Sequence, residues 1–92
     1  MQISSTLRSD EILTQIRWIA AQIPGCLLPR DQILPEHSLR EDLGLDSLAM
    51  VDLMVAIEDT LGVYFDPVQM DLDAAFETVG SIAGFVAALK GG

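Results

Sequence analysis

Cysteine and histidine are nearly absent from this chain, with one of each in 92 residues. A lone cysteine, Cys26, cannot close an internal disulfide, which points to a reducing, cytoplasmic setting. One histidine and one cysteine together cannot supply the ligand set of a structural zinc site. Basic residues are also scarce: five Lys and Arg against fourteen Asp and Glu give a net charge of -9. Such a balance argues against nucleic acid and against an anionic membrane surface as partners. Partners with basic patches are its natural counterpart, although an acidic surface also serves plain solubility. Residues Met1 to Ser9 are polar and lack the apolar run of a signal peptide or a membrane span, so the expectation is a soluble intracellular monomer.

Residues for catalysis are missing as well. A serine or cysteine nucleophile requires a positioned base, and the single histidine, His37, sits in Glu36-His37-Ser38 and reads as a surface-loop residue. Cys26 has no charged neighbour nearer in sequence than Arg30. The segment from Asp66 to Glu77 has the span of a calcium-binding loop, but Val68 and Met70 occupy ligand positions and Asp71 stands where the loop needs glycine. No catalytic residue and no metal ligand is therefore assigned, and the chain reads as something other than an enzyme.

What is present is helical periodicity around one core. Half of the residues are hydrophobic, enough for one small domain spanning 1–92. Ile12, Leu13, Ile16, Ile19, Ala20 and Ile23 share one face and predict a helix over about 10–23, capped by Ser9 and stopped by Pro24-Gly25. Trp18 on this helix reads as packing. Residues 24–46 form a long connection, and its Leu27, Leu28, Ile33, Leu34, Leu39, Leu43 and Leu45 suggest that it is pinned to the core. A second helix is predicted over 47–61, with Met50, Leu53, Met54, Ile57 and Leu61 facing the core. Val63-Tyr64-Phe65 could be read as a strand, but it is only three residues long and is ended by Asp66-Pro67, so it reads as loop. A short helix near 71–76 offers Leu72, Ala75 and Phe76 to the core. Thr78 caps a last helix over about 79–89 whose Ile82, Phe85, Val86 and Leu89 share a face. The expected fold is all-α, a small four-helix bundle with a long loop between its first two helices. The terminal Lys90-Gly91-Gly92 matches the ending of small β-sheet modifiers, but strand-like runs are too few, and a frayed helix end or tail is the expectation.

One stretch stands out within this frame. Leu43-Gly44-Leu45-Asp46-Ser47-Leu48 reads as a loop that turns at Gly44 and enters a helix capped by Asp46, which leaves the Ser47 hydroxyl exposed at the first helical position. On the same helix Leu48, Val51, Asp52, Val55 and Asp59 gather opposite the core face, mixing apolar side chains with carboxylates. Leu48, Val51 and Val55 read either as side chains covered by other parts of the chain or singly exposed, or as a docking face whose contact area they supply, while Asp46, Asp52, Glu58 and Asp59 steer a basic partner.

Asp46-Ser47-Leu48, preceded by Leu43-Gly44-Leu45 and followed by Val51-Asp52-Leu53, resembles the acyl carrier protein family, and the resemblance runs from about Leu39 through Leu89. It implies a long first loop that crosses the bundle and delivers the serine. It also implies that a phosphopantetheinyl transferase joins 4′-phosphopantetheine from coenzyme A to Ser47, leaving a thiol that carries acyl groups as thioesters. Partners implied are an acyl- or aminoacyl-loading enzyme and ketosynthase, acyltransferase or condensation-type enzymes with basic patches, with neither nucleic acid nor membrane among them. Leu45 before Asp46-Ser47 is similar to acyl carriers, since peptidyl carriers usually have a second glycine there. Two departures from fatty acid synthesis carriers, Ala49 in place of a further acid and Phe65-Asp66-Pro67 after Tyr64, favour a polyketide or mixed polyketide–nonribosomal peptide pathway. Alternatives are a carrier of fatty acid synthesis, a freestanding aminoacyl or peptidyl carrier, and an unmodified acidic helical adaptor.

Overall fold

Four α-helices carry the chain in the computed structural model, which describes residues 9–91. They are α1 (Ser9–Ala21), α2 (Ser47–Leu61), α3 (Leu72–Ala75) and α4 (Val79–Gly91), with a 3-10 turn at Arg30–Gln32 inside the long loop. Among the described residues no strand occurs, and extended pairing is confined to one isolated bridge between Ser38 and Thr78. The expected all-α bundle is therefore the architecture, with α1 packed on both α2 and α4 and α3 packed on α4.

The core follows from the apolar stripes. Ile12, Ile16 and Ala20 of α1, Leu53 and Ile57 of α2, and Val79, Ile82 and Val86 of α4 are wholly buried. Each such Ile, Leu or Val side chain contributes about 1.5–3 kcal/mol of transfer free energy. Phe65 and Phe76 close the α3 end of the core edge to face, with ring centroids 5.1 Å apart. The stripe on α2 differs from expectation: Ala49 is buried beside Leu53, Ile57 and Leu61, while Met50 and Met54 are half-buried at its edge. A small residue in register with Leu53 and Ile57 lets the helix approach its neighbours, and flexible methionines fill the margin. On α4 the stripe likewise centres on Val79, Ile82, Ala83 and Val86, leaving Leu89 partly exposed.

Helix ends have local causes. α1 stops at Ala21, two residues before the expected end, because Gln22 and Ile23 donate to Ile19 and Ala20 carbonyls in tighter turns ahead of Pro24. The cap expected from Ser9 falls on a side chain outside those described. α2 ends where Gly62 takes φ 69°, a left-handed cap. Thr78 caps α4 as expected: Ser81 N–H donates to Thr78 Oγ1 at 3.0 Å and Thr78 N–H donates to Ser81 Oγ at 2.9 Å. α4 runs on to Gly91, and Lys90 Nζ donates to the Leu61 carbonyl at 2.7 Å, which ties its last turn to the end of α2.

The long loop is pinned by four of the seven apolar residues expected to hold it, whereas Leu27 and Leu34 are exposed and Leu28 is half-buried. Ile33, Leu39 and Leu43 are wholly buried and Leu45 nearly so. Its carbonyls also satisfy the open end of α4: Val79 N–H donates to His37 O at 3.1 Å and Gly80 N–H to Pro35 O at 2.8 Å. His37 is a loop residue whose Nδ1 accepts from Leu34 N–H at 3.0 Å. The 3-10 turn is held on α1 by Arg17, whose Nη2 donates to the Arg30 carbonyl, and by the Arg30 guanidinium 4.1 Å from the Trp18 ring centre. Trp18 is thus half-exposed and stacked, not part of the core.

Candidate functional site

The segment that delivers Ser47 is shaped residue by residue. Ser38 starts a tight turn in which Asp42 and Leu43 N–H both donate to its carbonyl at 3.0 Å, and Leu45 N–H returns to Leu39 O at 2.9 Å. Between the buried anchors Leu43 and Leu45, Gly44 adopts φ 74°, a conformation that costs other residues about 1–2 kcal/mol. Leu27 crosses here: its N–H donates to the Leu43 carbonyl at 2.9 Å. With Leu45 fixed in the core, the next residues must turn outward into α2.

Asp46 makes that entry. Its backbone is extended, its Oδ1 accepts from Ala49 N–H at 2.8 Å and its carbonyl accepts from Met50 N–H at 2.9 Å. Ser47 follows as the first helical residue and is exposed. Its hydroxyl and the N–H groups of Ser47 and Leu48 have no partner among the described residues. The other serines with described side chains are engaged: Ser38 Oγ accepts from Glu41 N–H at 3.1 Å, and Ser81 Oγ donates to the Ala75 carbonyl at 2.7 Å. A phosphodiester on Ser47 would meet free N–H groups and the positive end of a 15-residue helix. The residues present fit that group.

Beyond Ser47, one side of α2 is left open. Leu48, Val51 and Val55 are 72%, 52% and 47% exposed, with Asp52 and Asp59 exposed among them. Glu58 differs from its neighbours, because it is half-buried and its Oε2 accepts from Phe65 N–H at 2.9 Å. That bond holds the α2–α3 connection against α2, a role that spacing on a helix could not reveal. Leu27, 71% exposed beside the serine loop, is a second feature that periodicity missed, since it lies outside every helix.

Among the described residues, the helical bundle presents at the start of α2 an exposed hydroxyl without a hydrogen-bond partner, an arrangement open to covalent attachment. Comparison with known proteins names its kind. The family model for the phosphopantetheine attachment site matches residues 14–86. An acyl carrier protein of Saccharopolyspora erythraea is 40% identical, over 78% of this chain and 70% of that protein. Acyl carrier protein 3 of Ralstonia nicotianae is 42% identical, over 89% of this chain and 88% of that one. Among solved structures, the carrier protein from Agrobacterium tumefaciens in complex with an engineered Bradyrhizobium japonicum glycine:[carrier protein] ligase and ATP superposes with a TM-score of 0.72 at 27% identity, covering 84% of this chain and 97% of that one.

The chain belongs to the acyl carrier protein family. It is a carrier and not an enzyme, it tethers acyl groups on a covalently attached 4′-phosphopantetheine, and it works with carrier-loading and biosynthetic enzymes. Among the described residues no helix is long and apolar enough to cross a membrane.

Proposed function

We propose that Ser47 is the attachment residue, that residues 1–92 act as one carrier domain, and that the open side of α2 docks partner enzymes. The observation that carries this reading is the Ser47 hydroxyl, exposed and unengaged where Asp46 caps α2, while Ser38 and Ser81 spend theirs on backbone groups. In the loading step Ser47 Oγ forms a bond to the phosphorus of coenzyme A next to the pantetheine. The bond from that phosphorus to the adenosine 3′,5′-bisphosphate leaving group breaks, and the serine proton passes to a base of the transferase. When bound, the group supplies a thiol that holds cargo as a thioester. The chain's own part is to fix Oγ at a capped helix start, where free N–H groups favour a phosphodiester.

Leu48, Val51 and Val55 give the docking face apolar contact area, and Asp46, Asp52, Glu58 and Asp59 give it a negative rim that selects and orients basic partners. Glu58 also holds Phe65, so one of its oxygens is engaged and its steering share is smaller. The partners on this reading are a phosphopantetheinyl transferase, a loading enzyme, and ketosynthase, acyltransferase or condensation-type enzymes in the cytoplasm. Ala49 and the Tyr64-Phe65-Asp66-Pro67 segment favour a polyketide or mixed polyketide–nonribosomal peptide pathway over fatty acid synthesis. A second reading, an aminoacyl cargo, is supported by the likeness to a carrier crystallised with a glycine:[carrier protein] ligase.

Incubation with coenzyme A and a promiscuous transferase tests the attachment. Intact mass should rise by about 340 Da, the mass of a phosphopantetheine group, and Ser47→Ala should not change. No gain in wild type under a transferase that modifies a control carrier overturns the proposal. Mass spectrometry of the thiol-bound group from the native host separates acyl from aminoacyl cargo.

A further inference from the structure

Leu27 is an exposed leucine held in a fixed place. Its N–H is tied to the Leu43 carbonyl at 2.9 Å, and its side chain rests on the Gly44 backbone so closely that a Cβ built on Gly44 would lie 2.7 Å from Leu27 Cδ1. Yet the residue is 71% exposed, so covering Gly44 uses only a minor part of its surface. Leu48, immediately after Ser47 in sequence, is 72% exposed, and these are the two most exposed leucines among the described residues. Both flank one serine. Gly44 and Ser47 are three residues apart, so their Cα atoms are separated by at most about 11 Å, and Leu27 sits directly on Gly44.

Resting on the assignment of Ser47, we infer that Leu27 is a contact residue for the phosphopantetheinyl transferase, filling an apolar depression beside that enzyme's active site. The reasoning concerns distance. An enzyme that acts on the thiol of a loaded carrier meets it at the end of a long arm and, docked on α2, need not cover the loop side of Ser47. The transferase makes its bond at Oγ itself, so its surface must close over the residues around Ser47. A standard interface buries about 800 Å² on each partner, a patch of roughly 16 Å radius, and a patch of that size centred on Ser47 reaches Leu27. Electrostatics alone would leave an apolar side chain at this position without a counterpart. An apolar contact on the loop side of Ser47 complements Leu48, Val51 and Val55 on the helix side and fixes the approach of the serine from two directions.

Initial rates of mass gain against carrier concentration, with coenzyme A and a transferase, test this on the full chain. Leu27→Ser should raise KM about five- to tenfold, as expected for a lost apolar contact, and leave kcat within about twofold. Leu27→Met should restore the wild-type KM. Val68→Ser removes an even more exposed apolar side chain, 89% exposed, from the α2–α3 connection and should leave KM unchanged. Tm of Leu27→Ser, read by circular dichroism, should stay within about 2 °C of wild type, since surface changes are usually small. A Leu27→Ser KM equal to that of wild type overturns the inference, and so does an equal rise in Val68→Ser. Wild type that gains no mass at all overturns the Ser47 assignment instead, so the two failures are told apart.

Discussion

Asp46 holds two roles, and they can be separated by substitution. As N-cap it satisfies Ala49 N–H through Oδ1 at 2.8 Å, and as a carboxylate it adds charge at the edge of the proposed docking face. Asp46→Ala removes both. Loss of a side-chain cap costs about 1 kcal/mol, within a range of about 0.5–2, and a domain of this size loses roughly 4–8 °C in Tm per kcal/mol. Asp46→Asn keeps a capping oxygen and removes only the charge, so it forgoes about 0.3–1 kcal/mol of helix-dipole interaction. Relief of self-repulsion in a chain of charge -9 offsets part of that loss in both variants equally. The difference between Ala and Asn therefore isolates the cap. Urea unfolding followed by circular dichroism should rank wild type and Asn close together with Ala lowest, while binding to a basic partner enzyme should fall in both variants. An Asn variant as unstable as Ala would refute the capping account, and an Ala variant as stable as wild type would do so more directly.

Ile57→Ala empties a wholly buried position in the centre of α2 and should cost about 2–5 kcal/mol in the same unfolding experiment. Reversing two exposed carboxylates, Asp52→Lys with Asp59→Lys, should weaken binding to a basic partner and flatten its dependence on ionic strength without changing helicity. Equal binding by this variant across salt concentrations counts against electrostatic steering.

Much of this architecture was legible because it rests on local rules. The start of α2 followed from Asp46 as cap, and the capping of α4 followed from Thr78. What escaped was tertiary. Helical spacing put Met50 and Met54 on the core face, whereas the neighbours packed on α2 favour the stripe through Ala49, Leu53 and Ile57. Glu58 looked like a surface charge until the chain folded back and offered it Phe65 N–H. Trp18 read as packing, but its partner could not be named until the loop brought Arg30 over its ring. The exposure of Ser47 was readable because cap and serine are adjacent in sequence. The place of Leu27 was not, since it depends on a hydrogen bond to Leu43 across sixteen residues.

The central claim is that one hydroxyl, that of Ser47, holds the arm. Fragmentation mass spectrometry of the loaded carrier locates the added group most directly. The account predicts the full gain of about 340 Da on the peptide that contains Ser47 and none on those with Ser38 or Ser81. A gain that maps to another residue, or one that persists in Ser47→Ala, would contradict it.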